Sequence, residues 1–247
     1  MKKQYWQITL GITLVILSAV LYCWHFLLFH DAHHIFIYLV GDIAFVPIEV
    51  LLVTLIIHRL LTIREKRSML KKLNMVIGAF FNEVGTGLLE YLSKFDTHRS
   101  DITEKLIVSN KWSEKEFTSL IIRLKKYSFE IDAKAGDLDG LKTFLLEKRG
   151  FLLGLLENPN LLEHESFTDL LWAVTHLTEE VALRKNIGEL GEADAGHVAG
   201  DIRRAYSLLI IEWLRYMQHL KSDYPYLFSL VVRTHPFQDA PSPVIAE

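Results

Sequence analysis

A chain of 247 residues with 27 Lys and Arg against 30 Asp and Glu carries a formal charge of −3 and lacks the basic surplus of a nucleic-acid binder. Half of its residues are hydrophobic beside 23% charged ones, and the apolar excess lies N-terminal to Leu61. The single cysteine, Cys23, excludes an intrachain disulfide framework and a cysteine-based zinc site.

Met1-Lys2-Lys3 precedes a first apolar run, Ile8 to Phe29, long enough to cross a bilayer. The competing reading is a cleaved signal peptide. The run is too long for a signal core, no small-x-small site follows it, and the bulky residue before Cys23 makes a poor lipobox. The run is therefore expected to stay as a helix. The loop His30-Asp31-Ala32-His33-His34 follows, with His25 about a turn inside the first helix. Histidine with carboxylate suits a divalent transition ion, so His30, His33 and His34 are candidate ligands that a symmetric oligomer could complete. The plainer reading is a polar turn at the membrane interface.

The second span, Ile35 to Ile57, carries Asp42, Pro47 and Glu49. The two acids are seven residues apart and so share one helix face. No Lys or Arg lies between Gly11 and Ile57 to pair with them. An unpaired carboxylate at membrane depth costs about 2.5 kcal/mol or more, so each must be packed, wetted or protonated. Pro47 removes a helix hydrogen bond and can open a polar pocket. Asp42 and Glu49 are the leading site residues: in an oligomer they would ring an axis and attract cations, and alone they would bond Tyr38, Thr54 or a freed carbonyl. Arg59, Arg64, Lys66, Arg67, Lys71 and Lys72 follow, opposed only by Glu65, whereas the loop has no cation. The positive-inside rule then puts both termini in the cytoplasm and the hairpin in the inner (cytoplasmic) membrane. Arg64, Lys66, Arg67, Lys71 and Lys72 suit anionic headgroups, at about 1 kcal/mol per cation near the surface.

Residues 1–61 thus read as a transmembrane hairpin with spans at about 8–29 and 35–57, and 62–95 as a juxtamembrane helix, basic and then apolar. Residues 96–237 read as a cytosolic helical domain and 238–247 as a proline-rich disordered tail. Within the domain, Asp101 to Val108 is a short helix, and Ser113 with Glu116 forms a capping box before Phe117, Leu120, Ile121 and Leu124. Leu138 to Leu156 is a helix ended by Asn158-Pro159. Ser166 and Asp169 open another, reaching about Lys185. After a glycine-rich turn, the longest helix runs from about Ala195 to Lys221, and Tyr224 to Val232 closes the core. No stretch alternates like a strand, so the fold class is all-α, a two-helix transmembrane hairpin followed by a multi-helix bundle.

One soluble constellation bears on chemistry. His176, Glu179 and Glu180 share a face of one helix, and Asp194, His197 and Asp201 share a face of the next. If the two helices are antiparallel neighbours, these sets converge as a divalent-metal site. The competing reading makes Asp194 an N-cap, leaves Glu179 and Glu180 solvated and pairs Asp201 with Arg204. Gly188-Glu189-Leu190-Gly191 has no preceding strand or following Lys and is too acidic for a phosphate loop. No Gly-x-Ser-x-Gly elbow exists, and catalytic and cofactor-binding residues are expected to be absent.

The runs GDIAFVPIEVLL, KKLNMVIGAFFNEVG and SDYPYLFSLVVRTHPF resemble segments of an uncharacterised prokaryotic family of two-span membrane proteins. The resemblance implies the hairpin-plus-bundle layout and brings no activity or site with it. The leading expectation is a non-enzymatic inner-membrane protein that self-assembles or binds a protein partner through its helical domain. Its sharpest form is a cation or proton pathway lined by Asp42 and Glu49. The alternative is a membrane-tethered metal-binding bundle, enzyme or sensor, using His176, Glu180, His197 and Asp201.

Overall fold

Leucine, isoleucine and phenylalanine at helical spacing, with few internal glycines or prolines, leave the chain little to form but helices that bury their apolar faces on one another. The computed structural model describes residues 2–159, 161, 164–238 and 242–244, without the side chains at 2–5, 7, 67, 68, 70 and 71. It shows an all-α protein, with no strand among the described residues and one isolated antiparallel bridge, Asp96 to Ile131. The chain divides into two compact units between Lys66 and Arg67.

The first unit holds α1 (Lys2–Phe29) and the N-terminal part of α2 (Ala32–Phe80). His30 turns the chain between them with a left-handed φ of 51°. Asp31 then starts α2, its carboxylate accepting the His34 N–H at 3.1 Å. The imidazoles of His25 and His34 stack across the turn, 5.9 Å apart. Two segments are long and apolar enough to cross a bilayer, Ile8–Phe29 and the 35 residues Ala32–Lys66, and neither is buried within the chain. Ala32–Lys66 extends well past Ile57; at 1.5 Å per residue it measures about 52 Å, more than the roughly 30 Å of a hydrocarbon core.

The second unit begins inside α2. A single π-turn, Phe81–Gly85, joins α2 to α3 (Thr86–Ser93). Thr86 returns both its backbone N–H and its hydroxyl to the Phe81 carbonyl, and the extra residue sets Phe81 and Val84 into the core. Then come α4 (Arg99–Leu106), α5 (Glu114–Leu124), α6 (Leu138–Leu156), α7 (Glu165–Leu183), α8 (Glu192–Asp223) and α9 (Pro225–Thr234).

The local signals act as their chemistry requires, with two differences. Glu116 accepts the Ser113 N–H at 2.6 Å at the start of α5, and Asp137 accepts the Gly140 N–H at 2.8 Å at the start of α6. At α7 the cap is His164, whose Nδ1 accepts the Phe167 N–H at 3.2 Å, rather than Ser166 or Asp169. At α8 the N-cap position falls on Gly191, which frees Asp194 for another partner.

The core is built around α8, which packs against α3, α5, α7 and α9. Five successive residues, Ile210 to Leu214, are buried, so at that level the helix is enclosed on every side. Phe81 stacks on Tyr216 at 4.9 Å, Phe80 meets Phe167 edge-on at 5.2 Å, and Trp213 meets Phe237 at 5.3 Å. These contacts fix the register of α8, and through α7 the position of the site described next. Of the predicted tail, 239–241 and 245–247 lie outside the described residues, while the Ser242 N–H donates to the Arg233 carbonyl at 3.0 Å.

Candidate functional site

Residues four apart on a helix stand one above the other. On α7 this places His176 over Glu180, and on α8 His197 over Asp201. Because α7 and α8 pack side by side, the two pairs meet. His176 Nε2 lies 3.9 Å from Glu180 Oε1 and 3.5 Å from Asp201 Oδ1. His197 Nε2 lies 3.6 Å from Glu180 Oε2 and 3.4 Å from Asp201 Oδ2. His176, Glu180 and Asp201 each offer one donor atom within 4.8 Å of the others. Burial is graded: Asp201 is 4% exposed, Glu180 is partly covered, and both imidazoles are about half open to solvent.

Two arginines brace the carboxylates. Arg184, at the C-terminal cap of α7, donates to Glu180 Oε2 at 2.6 Å and, through Nη2 and Nε, to Asp194 at 2.6 and 3.1 Å. The Arg184 carbonyl is itself held by Lys142 Nζ at 2.6 Å. Hydrogen bonds from Arg184 keep the carboxyls of Glu180 and Asp194 below their usual range against the opposing effect of burial, so both are ionised at neutral pH. Their carboxylates, Asp194 first, hold the Arg184 guanidinium protonated. Arg204 donates to Asp201 Oδ1 at 3.1 Å. Asp201 Oδ2 is buried without a hydrogen-bond donor.

Glu179 is not part of this cluster; it points to Arg149 at 3.7 Å. Asp194 is no N-cap but the second anchor of Arg184. Arg184 escaped the sequence reading, although a glutamate four residues ahead of an arginine is itself an ion-pair signal.

In the first unit Asp42 and Glu49 are exposed and have no hydrogen bond or ion pair among the described residues. Asp31 is used in capping α2, His34 lies against His25 and Tyr38, and no donor set forms from His30, His33 and His34. Arg64, Lys66 and Lys72 are exposed, while the side chains of Arg67 and Lys71 lie outside the described residues.

No solved structure matches the chain. Residues 2–61 match the family described as "MJ1433, N-terminal helical domain", and residues 69–233 match "Uncharacterized protein MJ1433, C-terminal helical domain". "Uncharacterized protein MJ1433" of Methanocaldococcus jannaschii is 45% identical over 239 residues, which span 97% of this chain and 96% of that one. The chain therefore belongs to the MJ1433 family, carrying that family's N-terminal and C-terminal helical domains in order.

Proposed function

We propose that this protein is anchored in the cytoplasmic membrane by the hairpin of α1 and α2 and assembles there with further copies of itself, with Asp42 and Glu49 lining a cation or proton pathway. The observation that carries the reading is the state of those acids. Both lie on an apolar segment that is not buried within the described chain, and neither has a hydrogen-bond or ion-pair partner among the described residues. Each would cost about 2.5–3.5 kcal/mol against lipid. Burial at an interface between copies, with water or a cation shared among the carboxylates, removes that cost. The run of cations after Ile57 supports cytoplasmic termini and contact with anionic headgroups.

The test uses the full chain in mild detergent and in liposomes. A defined oligomer and a measurable proton or cation flux are expected, and Asp42→Asn with Glu49→Gln should lower the flux by about tenfold or more. A monomer that conducts nothing overturns the reading. A second reading, a tethered metal-binding domain, is favoured by the α7–α8 cluster and is independent of the first.

A further inference from the structure

We propose that His176, Glu180, His197 and Asp201 bind one divalent first-row transition ion of the zinc class at the seam of α7 and α8.

Distances carry the first part of the argument. Zinc bound tetrahedrally by imidazole and carboxylate, with bonds of about 2.0–2.2 Å, holds neighbouring donor atoms about 3.4 Å apart. The four nitrogen–oxygen separations here run from 3.4 to 3.9 Å, between two nitrogens on different helices and oxygens of two carboxylates. A hydrogen-bonded network would close these to about 2.7–3.2 Å. Neither imidazole makes a hydrogen bond to either carboxylate. Each imidazole nitrogen stands at ligand spacing from one oxygen of each carboxylate. His176, Glu180 and Asp201 form the set whose donor atoms all lie within 4.8 Å of one another, and His197 adjoins it through its contacts with the two carboxylates.

The second part is an orphaned atom. Asp201 Oδ2 faces His197 Nε2 at 3.4 Å, is buried and receives no hydrogen bond. A buried polar atom without a partner is costly, and native proteins satisfy nearly all of them. Arg204 takes Oδ1 of Asp201 and Arg184 takes Oε2 of Glu180, which leaves for an ion Asp201 Oδ2, 3.4 Å from His197 Nε2, and Glu180 Oε1, 3.9 Å from His176 Nε2. The arginines then stand as outer partners that fix the ligating groups, a role such sites regularly assign to hydrogen-bonded neighbours.

The donor set chooses the class of ion. Two imidazoles disfavour magnesium and calcium, and the lack of thiolate disfavours copper(I), which leaves Zn²⁺, Fe²⁺ and their neighbours. Because both imidazoles are about half exposed, the ion would exchange with solvent and could keep a water as a further ligand.

The test takes the full chain in mild detergent, strips it with a chelator and titrates it with Zn²⁺, using Co²⁺ as an optical probe. Expected are one ion per chain, visible Co²⁺ absorption and a raised thermal midpoint. His176→Ala and His197→Ala should each weaken binding by more than about 100-fold, the upper end for loss of a mere outer partner. Their partial exposure keeps these variants folded, which the circular dichroism of the apo form checks. Replacing His30, His33 and His34 together with alanine should leave the affinity unchanged. Absence of stoichiometric binding overturns the site. So does binding that survives loss of both His176 and His197, or that disappears only with the loop histidines. None of these outcomes depends on whether the spans assemble or conduct.

Discussion

Two buried polar residues of the second unit do unlike things. Asp201 keeps one oxygen free in a cluster of donors, whereas His235 is enclosed by Trp213 and Phe237. Its Nδ1 accepts the Phe237 N–H at 3.2 Å, its Nε2 has no partner, and burial pushes its pKa down to about 4 from 6.5. The folded state therefore holds His235 neutral, while the unfolded chain takes up a proton below pH 6.5. The stability this contributes is complete above about pH 6.5 and is lost as the pH falls towards 4. The loss amounts to about 3 kcal/mol over that window. Thermal midpoints measured across it should fall for the native chain and fall less for His235→Asn. At this scale the sequence shows two helical pairs, His176 with Glu180 and His197 with Asp201, because spacing of four is a local property. It does not show that Glu179 turns away or that Arg184 clamps the seam, since both depend on what the neighbouring helix presents.

Among the elements, the π-turn after α2 depends on a missing side chain. A Cβ on Gly85 would fall 2.5 Å from Phe81 Cδ1 and 2.9 Å from Phe80 Cε1, inside van der Waals contact with two buried rings. Gly85→Ala must displace rings that also pack on Phe167 and Tyr216. A loss of about 1–3 kcal/mol is expected, the usual cost of overpacking, read as a lower denaturation midpoint. Gly78→Ala is the control, because its Cβ would meet only the Tyr216 ring at an ordinary 3.6 Å. Leu138 to Leu156 coincides with the helix read from the sequence, since an Asp137 cap and a proline three residues beyond its end are local signals. The start of α8 at Glu192 rather than Ala195 was not legible. There Gly191 provides the N-cap position, and Asp194 is drawn off by an arginine from another helix.

For the whole molecule, the testable consequence of the proposed anchoring is sidedness. With Cys23→Ser as background, Ala32→Cys places a thiol at the first residue of α2, beside the turn, and Gly196→Cys places one in the helical domain, where a Cβ meets nothing within 4 Å. A membrane-impermeant maleimide applied to intact cells should label the first and reach the second only after lysis. Labelling of Gly196→Cys in intact cells would overturn the cytoplasmic placement of the domain. The same pair of variants reports whether the histidine loop faces the outside, as the proposed anchoring predicts from the charge asymmetry of the flanking residues.

By itself the sequence determined what is set within a few residues: the all-α class, two apolar helices long enough for a bilayer, the capping box of α5, and acid–histidine pairs on single faces. These follow from side-chain periodicity and backbone hydrogen bonding over one or two turns. The tertiary structure alone decided the meeting of α7 with α8, the selection of Glu180 over Glu179, the reach of Arg184 across to Asp194, and the orphaned oxygen of Asp201. Each of those depends on the register between packed helices, which is set by the shapes of buried rings such as Phe80, Phe81 and Tyr216. A pattern read along one helix carries no record of the side chains facing it.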